Sequence, residues 1–461
     1  MTVRSRPRRP HRLLGAALVA AVGLAGAAGA AAPAAATASP SGALAAAFDR
    51  AAARYDVPRD LLVALGQAET RLDGHAGTPS ASGGYGVMHL VSSPRPATLE
   101  KAATLTGLAP AALRTEVGAN ITGAAAVLRS YADATGLGRA ERADLNRWYE
   151  PIAQYGGAAD PAVARLYADG VYDLLRSGFS AASGAALTVP GRPVAPQRGA
   201  LSRASAAGGY ETLSTDYGPA AWAAASTSNY TVATRPSSHP VAYIVIHMTQ
   251  GSYAGAISWF QNPAAQASAH YTFRSSDGAV TQSVREKDIA WHAGNWTYNT
   301  QSIGIEHEGY VDNPAWFTDA MYRASAKLTR SLATKYGIAK DRAHIIAHRE
   351  VPGATHTDPG VNWNWTYYMQ LVNGVTGTGS GTVDTTASSL NVRSGPGTGY
   401  GVVDSVADGA AVTVYCQATG TLVTGPHGTT SIWHRIGTNR YVSDAFLQTG
   451  YDGFIPNVPR C

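Results

Sequence analysis

The sequence predicts a multidomain chain with a helical N-terminal domain, a central α/β domain and a small all-β barrel at the C-terminus. Two segments rich in small residues, 177–209 and 376–382, divide the 461 residues. Their Ser, Gly, Ala, Thr and Pro content is typical of linkers. The apolar residues are spaced as in helices before the first segment and alternate after the second one. We therefore expect three folded units.

The first 38 residues have the pattern of an export signal. Five arginines, the last of them Arg12, precede an apolar run at 13–32, and the small-residue sequence Ala-Thr-Ala follows at 36–38. This pattern predicts a signal peptide at 1–38 and a secreted or cell-wall protein. The run is long enough for a membrane anchor, but its Ala and Gly content favours cleavage, which leaves no membrane span. Twin-arginine export and ordinary secretion both stay open.

The net charge of +5 comes from the predicted signal peptide. The chain has 36 basic and 31 acidic side chains, and the first 38 residues contain five arginines and no acid. Without them the two signs balance, which gives no support for nucleic-acid binding. The two cysteines, Cys416 and Cys461, are predicted to form a disulfide in an exported chain.

The N-terminal domain, 39–176, is predicted to be mostly helical. The run 58–70 has apolar residues at helical spacing and carries Glu69 near its end. With segments 86–90, 120–125 and 152–157, it resembles the lysozyme-like domain of soluble lytic transglycosylases. The resemblance implies that Glu69 protonates a glycosidic oxygen, which requires a raised pKa. His89, Thr70 and Gly156 depart from the glutamine, serine and asparagine usual in that family, so a domain that only binds glycan is the alternative.

The central domain, 210–375, contains two predicted buried strands that end in His247 and His348. Pro-Gly pairs at 352–353 and 359–360 mark turns that bring Asp358 back toward His348. Two imidazoles and one carboxylate leave a tetrahedral position open for water, which is the pattern of a catalytic zinc site. Eight of the 13 histidines of the chain lie between positions 239 and 356, and this clustering favours a site over scattered structural use.

The central domain resembles the zinc-dependent N-acetylmuramoyl-L-alanine amidase family, whose fold is shared with peptidoglycan recognition proteins. The resemblance implies a mixed β-sheet flanked by helices. The segments that carry the resemblance occur in the family's order: 243–249, 267–272, 290–294, 302–306 and 348–360. The resemblance implies that His247, His348 and Asp358 bind Zn²⁺ and that Glu306 is the general base. It also implies that the substrate is peptidoglycan, cleaved between N-acetylmuramic acid and the L-alanine of the stem peptide.

The strand around Glu306 predicts where this side chain points. Residues alternate in a strand, so Ile303 and Ile305 face the core while Gly304 and Glu306 face the cleft. Many family members have a lysine two residues before the last ligand, where it stabilises the oxyanion. This chain has His356 there, and a protonated histidine can substitute.

The eight histidines of the cluster cannot all be metal ligands. Four ligand positions at most exist around zinc, one of them for water. We expect His270 and His292 to line the pocket or orient substrate. We expect His239, His307 and His344 to be exposed.

The C-terminal unit, 383–461, has alternating strands and glycine-rich turns. Segment 390–400 is similar to the signature of bacterial Src-homology-type barrels, and segments 409–415, 433–436 and 440–443 fit the same pattern. The resemblance implies a wall-binding module, and a purely structural appendage is the alternative.

Three functions follow from these patterns. The first is a secreted zinc amidase, expected to be a monomer, whose flanking domains bind the cell wall. The second is a non-catalytic peptidoglycan receptor, which has no need of Glu306 and the three ligands. The third is a bifunctional enzyme that also cleaves glycan through Glu69.

Overall fold

A computed structural model describes residues 40–94, 96–181, 187–204 and 213–461. The predicted signal peptide lies outside these ranges. None of the described helices has both the length and the apolar character needed to cross a membrane.

The first part of the described chain, residues 40–177, is helical with one short hairpin, as predicted. Its helices are α1 (Pro40–Tyr55), α2 (Arg59–Thr70), α3 (Thr98–Thr106), α4 (Pro110–Thr115), α5 (Val117–Ala134), α6 (Tyr149–Tyr155) and α7 (Pro161–Ser177). The hairpin consists of β1 (Gly84–Tyr85) and β2 (Leu90–Val91). The likeness to lysozyme-like domains stays a prediction.

Helix α2 buries one face and ends at a residue with left-handed backbone geometry. Leu61, Leu62 and Leu65 have no exposed surface and belong to the core that α1, α5 and α7 share. Arg71 follows α2 with φ of 54° and donates its N–H to the carbonyl of Gln67, which closes the helix. This end leaves Glu69 in the last turn, where the side chain is buried.

The segment predicted as the first linker is in part packed on the helices. β3 (Phe179–Ser180) pairs with β4 (Thr188–Val189), and Val189 is buried. Further along, Arg198 donates to Asp169 of α7 over 2.8 Å. Residues 187–204 therefore belong to the helical part of the fold, because their few apolar and basic side chains find partners there.

The central part contains a six-stranded mixed sheet, as predicted. Its strands are β5 (Ala221–Trp222), β7 (Tyr243–Ile246), β8 (Tyr271–Phe273), β9 (Val280–Gln282), β11 (Ser302–His307) and β12 (Ile345–Ala347). Their order is β12-β7-β11-β8-β9-β5, and all neighbours are parallel except the antiparallel pair β8 and β9. A small separate pair is formed by β6 (Tyr230–Thr231) and β10 (Ile289–Ala290).

Helices cover the central sheet. They are α8 (Tyr253–Gln261), α9 (Trp296–Gln301), α10 (Asp319–Tyr336) and α11 (Trp365–Val372). Ile303 and Ile305 of β11 share an apolar cluster with Met321 and Leu328 of α10 and Tyr368 of α11. This face of the sheet carries the larger core, and Val245 and Ile346 on the other face belong to a smaller apolar cluster.

The C-terminal part is all β, as predicted. Its strands are β13 (Gly379–Val383), β14 (Ser389–Arg393), β15 (Val402–Ala407), β16 (Ala411–Val414), β17 (Cys416–Gly425), β18 (Gly428–Gly437), β19 (Arg440–Ser443) and β20 (Leu447–Gln448). They form two sheets, of order β16-β13-β20 and β15-β14-β19-β18-β17. The predicted disulfide between Cys416 and Cys461 is present and ties the last residue to the start of β17.

The second predicted linker supplies a strand rather than a free connection. Residues 379–382 pair with β16. A Cβ added at Gly379 would lie 2.6 Å from Ile455, and one added at Gly381 would lie 2.5 Å from Leu447. These glycines are therefore required by close packing inside the barrel, although their composition is that of a linker.

Candidate metal centre and active site

Candidate residues lie near the ends of three neighbouring parallel strands, at one edge of the central sheet. Ile246 of β7 lies opposite Ala347 of β12 on one side and opposite Ile305 of β11 on the other. In parallel strands, residues at the same level point to the same face. The next residue of each strand therefore meets the others at the carboxyl edge. These three residues are His348, His247 and Glu306.

Asp358 completes this group from the turn after β12. Arg349 donates its N–H to the backbone carbonyl of Asp358 over 3.1 Å, which folds the segment back. The carboxylate then lies with Oδ1 3.0 Å from Nδ1 of His348 and Oδ2 3.3 Å from Nδ1 of His247. The three side chains are buried, and their ligand atoms lie within 4.8 Å of one another.

A chain of hydrogen bonds behind His247 determines which nitrogen of this ring carries the proton. The hydroxyl of Ser302 donates to the carbonyl of Tyr298 over 2.5 Å, because a carbonyl only accepts. Ser302 Oγ then accepts from Nε2 of His292 at 3.1 Å. Nδ1 of His292 is left as the acceptor for Nε2–H of His247 at 2.9 Å. His247 thus holds its proton on Nε2 and turns the lone pair of Nδ1 toward Asp358.

This arrangement fits a bound cation. A lone pair of His247 and an oxygen of the Asp358 carboxylate repel each other across 3.3 Å unless a positive charge lies between them. Two imidazole nitrogens and one carboxylate oxygen are ligands that zinc accepts. The hydrogen bond from His247 to His292 is the kind of outer contact that orients a ligating histidine.

Burial and neighbouring charges set the protonation of this site. Burial, with the positive charge of His348, lowers the pKa of His247 to about 4. Burial opposes the ionisation of Asp358, but the contacts with the imidazoles of His247 and His348 outweigh it and lower the pKa of this carboxyl. A neutral His247 beside an ionised Asp358 is the protonation state in which both bind a metal.

Glu306 lies next to the three candidate ligands with one free oxygen. The residue is half-buried, and its buried Oε2 has no hydrogen-bond partner among the described residues. Burial, together with the negative charge of Asp358, raises the pKa of Glu306 well above its ordinary value. A carboxylate with an unpaired oxygen and an elevated pKa is suited to accept a proton.

His356 lies at the exposed rim of the site. Its ring stacks on that of His348, with 4.8 Å between the ring centres and 18° between the planes. The side chain is exposed. It is therefore next to the candidate metal centre on the side that solvent and substrate reach.

Two other histidines differ from their expected places. His270 has no exposed surface, and its ring nitrogens contact Gly304 N at 3.0 Å and Arg235 at 2.7 Å. His307 was expected to be exposed but is fully buried, 2.7 Å from the hydroxyl of Ser325. Both rings hold β11 in place and lie behind the site. His292, expected to line the pocket or orient substrate, contacts His247, and its role toward the substrate stays a prediction.

Ser302 and Arg235 support the site but were not predicted to do so. Ser302 starts β11 and ends the hydrogen-bond chain from His247. Arg235 is buried and donates to carbonyls of residues 286, 288 and 302 as well as contacting His270. Burial lowers the pKa of Arg235 to about 10. Ser302 lies in the matching segment 302–306 and Arg235 lies in none of these segments, and the roles of both side chains are found only from their contacts.

Two regions of the chain resemble known proteins. A sequence model of the N-acetylmuramoyl-L-alanine amidase family matches residues 237–361, and one of the bacterial SH3 domain matches residues 388–448. The chain is 41% identical over 176 residues to N-acetylmuramoyl-L-alanine amidase A of Achromobacter lyticus, across 34% of this chain and 96% of that protein. It is 37% identical over 103 residues to the 1,6-anhydro-N-acetylmuramyl-L-alanine amidase AmpD of Haemophilus influenzae, across 21% of this chain and 54% of that protein. A crystal structure of a selenomethionine derivative of AmpD covers 35% of this chain and 99% of its own, with 26% identity and a TM-score of 0.29.

The matched range contains all four residues that meet at the sheet edge. The chain belongs to the N-acetylmuramoyl-L-alanine amidase family. It is a peptidoglycan amidase that also carries a bacterial SH3 domain. Family membership favours the enzyme over the non-catalytic receptor.

Proposed function

We propose that the chain is a zinc-dependent amidase that cleaves the bond between N-acetylmuramic acid and the L-alanine of the stem peptide. His247, His348 and Asp358 would hold the zinc. The observation that carries this proposal is the lone pair of His247 Nδ1 facing the Asp358 carboxylate at 3.3 Å, beside the unpaired oxygen of Glu306.

The chain's own residues would share the chemistry of amide hydrolysis. Zinc, when bound, supplies a Lewis acid that polarises the amide carbonyl and acidifies water. Glu306 takes the proton of the attacking water at Oε2 and later gives a proton to the leaving amine. His356, at the open rim, donates to the carbonyl oxygen as negative charge develops there. His292 keeps its partner His247 oriented.

The other parts of the chain would bring the enzyme to its substrate. We propose export by the signal peptide at 1–38, a location in the cell wall and action as a monomer. The disulfide between Cys416 and Cys461 suits an oxidising compartment. The proposed domains are a lysozyme-like one at 39–176, the amidase at 210–375 and a wall-binding barrel at 383–461.

Digestion of purified peptidoglycan by the full chain tests this proposal. We expect released stem peptides with new L-alanine N-termini, loss of this activity after chelation and its recovery with added zinc. Activity that survives exhaustive chelation would contradict the metal. Zinc-loaded protein that releases no L-alanine ends would contradict the proposed bond.

A further inference from the structure

Glu69 lies where the N-terminal helices meet the central part of the chain. It is 3% exposed, and both oxygens of its carboxylate have partners. Tyr167 of α7 donates its hydroxyl to Oε1, and Ser252 donates to Oε2 over 3.1 Å. His89 Nδ1 lies 3.3 Å from Oε2. Because Ser252 precedes α8, one of these bonds joins the helices to the amidase part.

Helix α8 covers the side of the helical core on which Glu69 lies. Tyr253, Ala254 and Ile257 are buried and belong to the same apolar cluster as α2 and α7. The cluster is therefore continuous across the two parts of the chain. Separating them would expose the apolar face of α8 to water, which is unfavourable.

The remaining cavity beside Glu69 is bounded by both parts. It is lined by His89, Tyr155 and Tyr167 of the helical part and by Gly255, Ser258 and Trp259 of α8. A glycosidic acid must come within hydrogen-bond distance of the oxygen between two sugars. A glycan strand meets that condition at Glu69 only after α8 has moved away, which would also break the bond from Ser252.

Ser252 lies close along the chain to the amidase site. It ends the first loop, residues 248–252, which follows His247 directly. The second loop, residues 307–316, follows Glu306. Gly251 and Gly309 exchange backbone hydrogen bonds of 3.2 and 3.0 Å, so the two loops are joined.

Glu308 connects the second loop to the start of α8 and to the turn after β8. Its Oε1 accepts from Tyr253 N over 2.9 Å, and its Oε2 accepts from Ser275 N over 2.7 Å. Glu308 is buried. A shift of Ser252 is therefore transmitted through the next residue to the strand that carries Glu306.

Arg71, just beyond the end of α2, contacts the second loop. Its guanidinium lies 4.0 Å from the ring centre of Trp316 and donates to the carbonyl of Ala315. A cation over an aromatic face is a favourable contact. The end of α2 thus holds the first loop through Glu69 and the second loop through Arg71.

We propose that Glu69 is a positioning residue of the amidase site, and that the end of α2 braces the two loops that leave His247 and Glu306. This inference rests on the proposed placement of the amidase site at these two residues. Misplacement of catalytic groups by about 1 Å costs on the order of 10²-fold in rate. Loss of the bond between Glu69 and Ser252 therefore acts on the chemistry from outside the site.

Paired substitutions at Glu69 in the full chain test this role. We expect Glu69→Ala to lower the amidase kcat by roughly 10- to 100-fold with little change in KM, because the loops shift while substrate contacts remain. Glu69→Gln should keep most of the activity, because its amide oxygen still accepts and the hydroxyl of Ser252 can accept from the amide N–H. If Glu69 were a glycosidic acid, the two substitutions would lower glycan cleavage equally, because neither side chain can supply the proton.

Asp169→Ala is the matched control. Asp169 is also a buried carboxylate of the helical part, bonded to Tyr149 at 2.9 Å and to Arg198 at 2.8 Å, away from both loops. Amide hydrogen exchange in residues 248–252 should rise in Glu69→Ala and stay as in the wild type in Asp169→Ala. Ser252→Ala tests the same bond from the other side if Glu69→Ala does not fold.

Three results would overturn this inference. The first is equal amidase activity in Glu69→Ala, Ser252→Ala and Asp169→Ala. The second is a loss of amidase activity in Glu69→Gln as large as in Glu69→Ala. The third is formation of anhydro-muramic ends by a Glu306→Gln protein that Glu69→Gln abolishes. If His247→Ala retains full activity, the proposed site itself fails, and this outcome is distinct from all three.

Discussion

Glu306 and Glu69 are both glutamates near the end of a regular element, but their oxygens have different surroundings. Glu306 is half-buried at the edge of the sheet, and its Oε2 has no partner among the described residues. Glu69 is enclosed by Tyr167, Ser252 and His89, so both of its oxygens are paired. We propose that Glu306 exchanges a proton with the substrate, whereas Glu69 stabilises the contact between α2, α7 and the loop that ends at Ser252.

The difference shows that the position of an acid in a family's pattern does not fix its role. A reacting carboxylate needs an oxygen that substrate or water can reach. A carboxylate whose oxygens accept from the protein on both sides has already used that capacity, and its removal leaves buried donors unsatisfied. Substitutions that separate the effect on catalysis from the effect on stability test whether Glu306 and Glu69 differ in this way.

The largest effect is expected at the metal centre. His247→Ala removes the ligand whose lone pair faces Asp358, so the protein should lose its zinc and its amidase activity should fall to background. Metal analysis of the purified variant and L-alanine end-group assays measure both. His344→Ala is the control, because this half-buried histidine pairs with Asp341 at 2.7 Å outside the site. One zinc per chain and full activity in His247→Ala would show that the metal lies elsewhere.

The second largest effect is expected for Glu306→Gln. Glutamine keeps the shape but cannot take a proton, so kcat should fall by roughly 10²- to 10⁴-fold, the usual contribution of general acid–base catalysis. Zinc should remain bound, because Glu306 is not among the three ligands. Steady-state rates and metal content are measured on the same sample. If most of the activity survives, another group is the base and the contrast with Glu69 disappears.

Ser302→Ala tests the hydrogen-bond chain behind the metal centre. Without the hydroxyl, His292 loses its partner and holds His247 less firmly, so zinc affinity should fall by about 10- to 100-fold, as for other outer contacts of metal ligands. Competition with a chelator measures the affinity. Ser325→Ala, which removes a buried hydroxyl bonded to His307, should change it little. Equal affinities in both variants would contradict the proton assignment.

Local patterns in the sequence predicted the candidate ligands correctly as neighbours in space. Apolar runs ending in His247 and His348 identify strand ends, and parallel strands put such ends at one edge. Alternation along β11 predicted that Ile303 and Ile305 enter the core and that Glu306 points away from it. The disulfide was predicted from the count of cysteines in a chain that we expect to be exported.

Contacts between residues that are far apart along the chain could not be predicted from the sequence. The sequence around His307 does not show that this side chain is buried and contacts Ser325 of α10. The expectation that His307 is exposed was therefore wrong. Likewise, the bond to Glu69 comes from Ser252, 183 residues further along the chain. Gly379 and Gly381 lie in a segment that has the composition of a linker. Only the structure shows that they belong to a strand and pack against Ile455 and Leu447.

The smallest effect is expected on stability, and there the two glutamates should reverse their ranking. Glu69→Ala leaves the hydroxyls of Tyr167 and Ser252 without their acceptor, and a buried donor left unsatisfied costs about 1–3 kcal/mol. Glu306→Gln removes a carboxylate that has an unpaired buried oxygen, so it should leave the folded state as stable as before or more so.

Thermal unfolding of the zinc-free proteins measures this contrast without the contribution of the metal. We expect a Tm lower by a few degrees for Glu69→Ala and no lower than that of the wild type for Glu306→Gln. A Tm decrease of similar size in both would mean that Glu306 also holds the fold together. In that case the unpaired oxygen would no longer distinguish the reacting acid from the structural one.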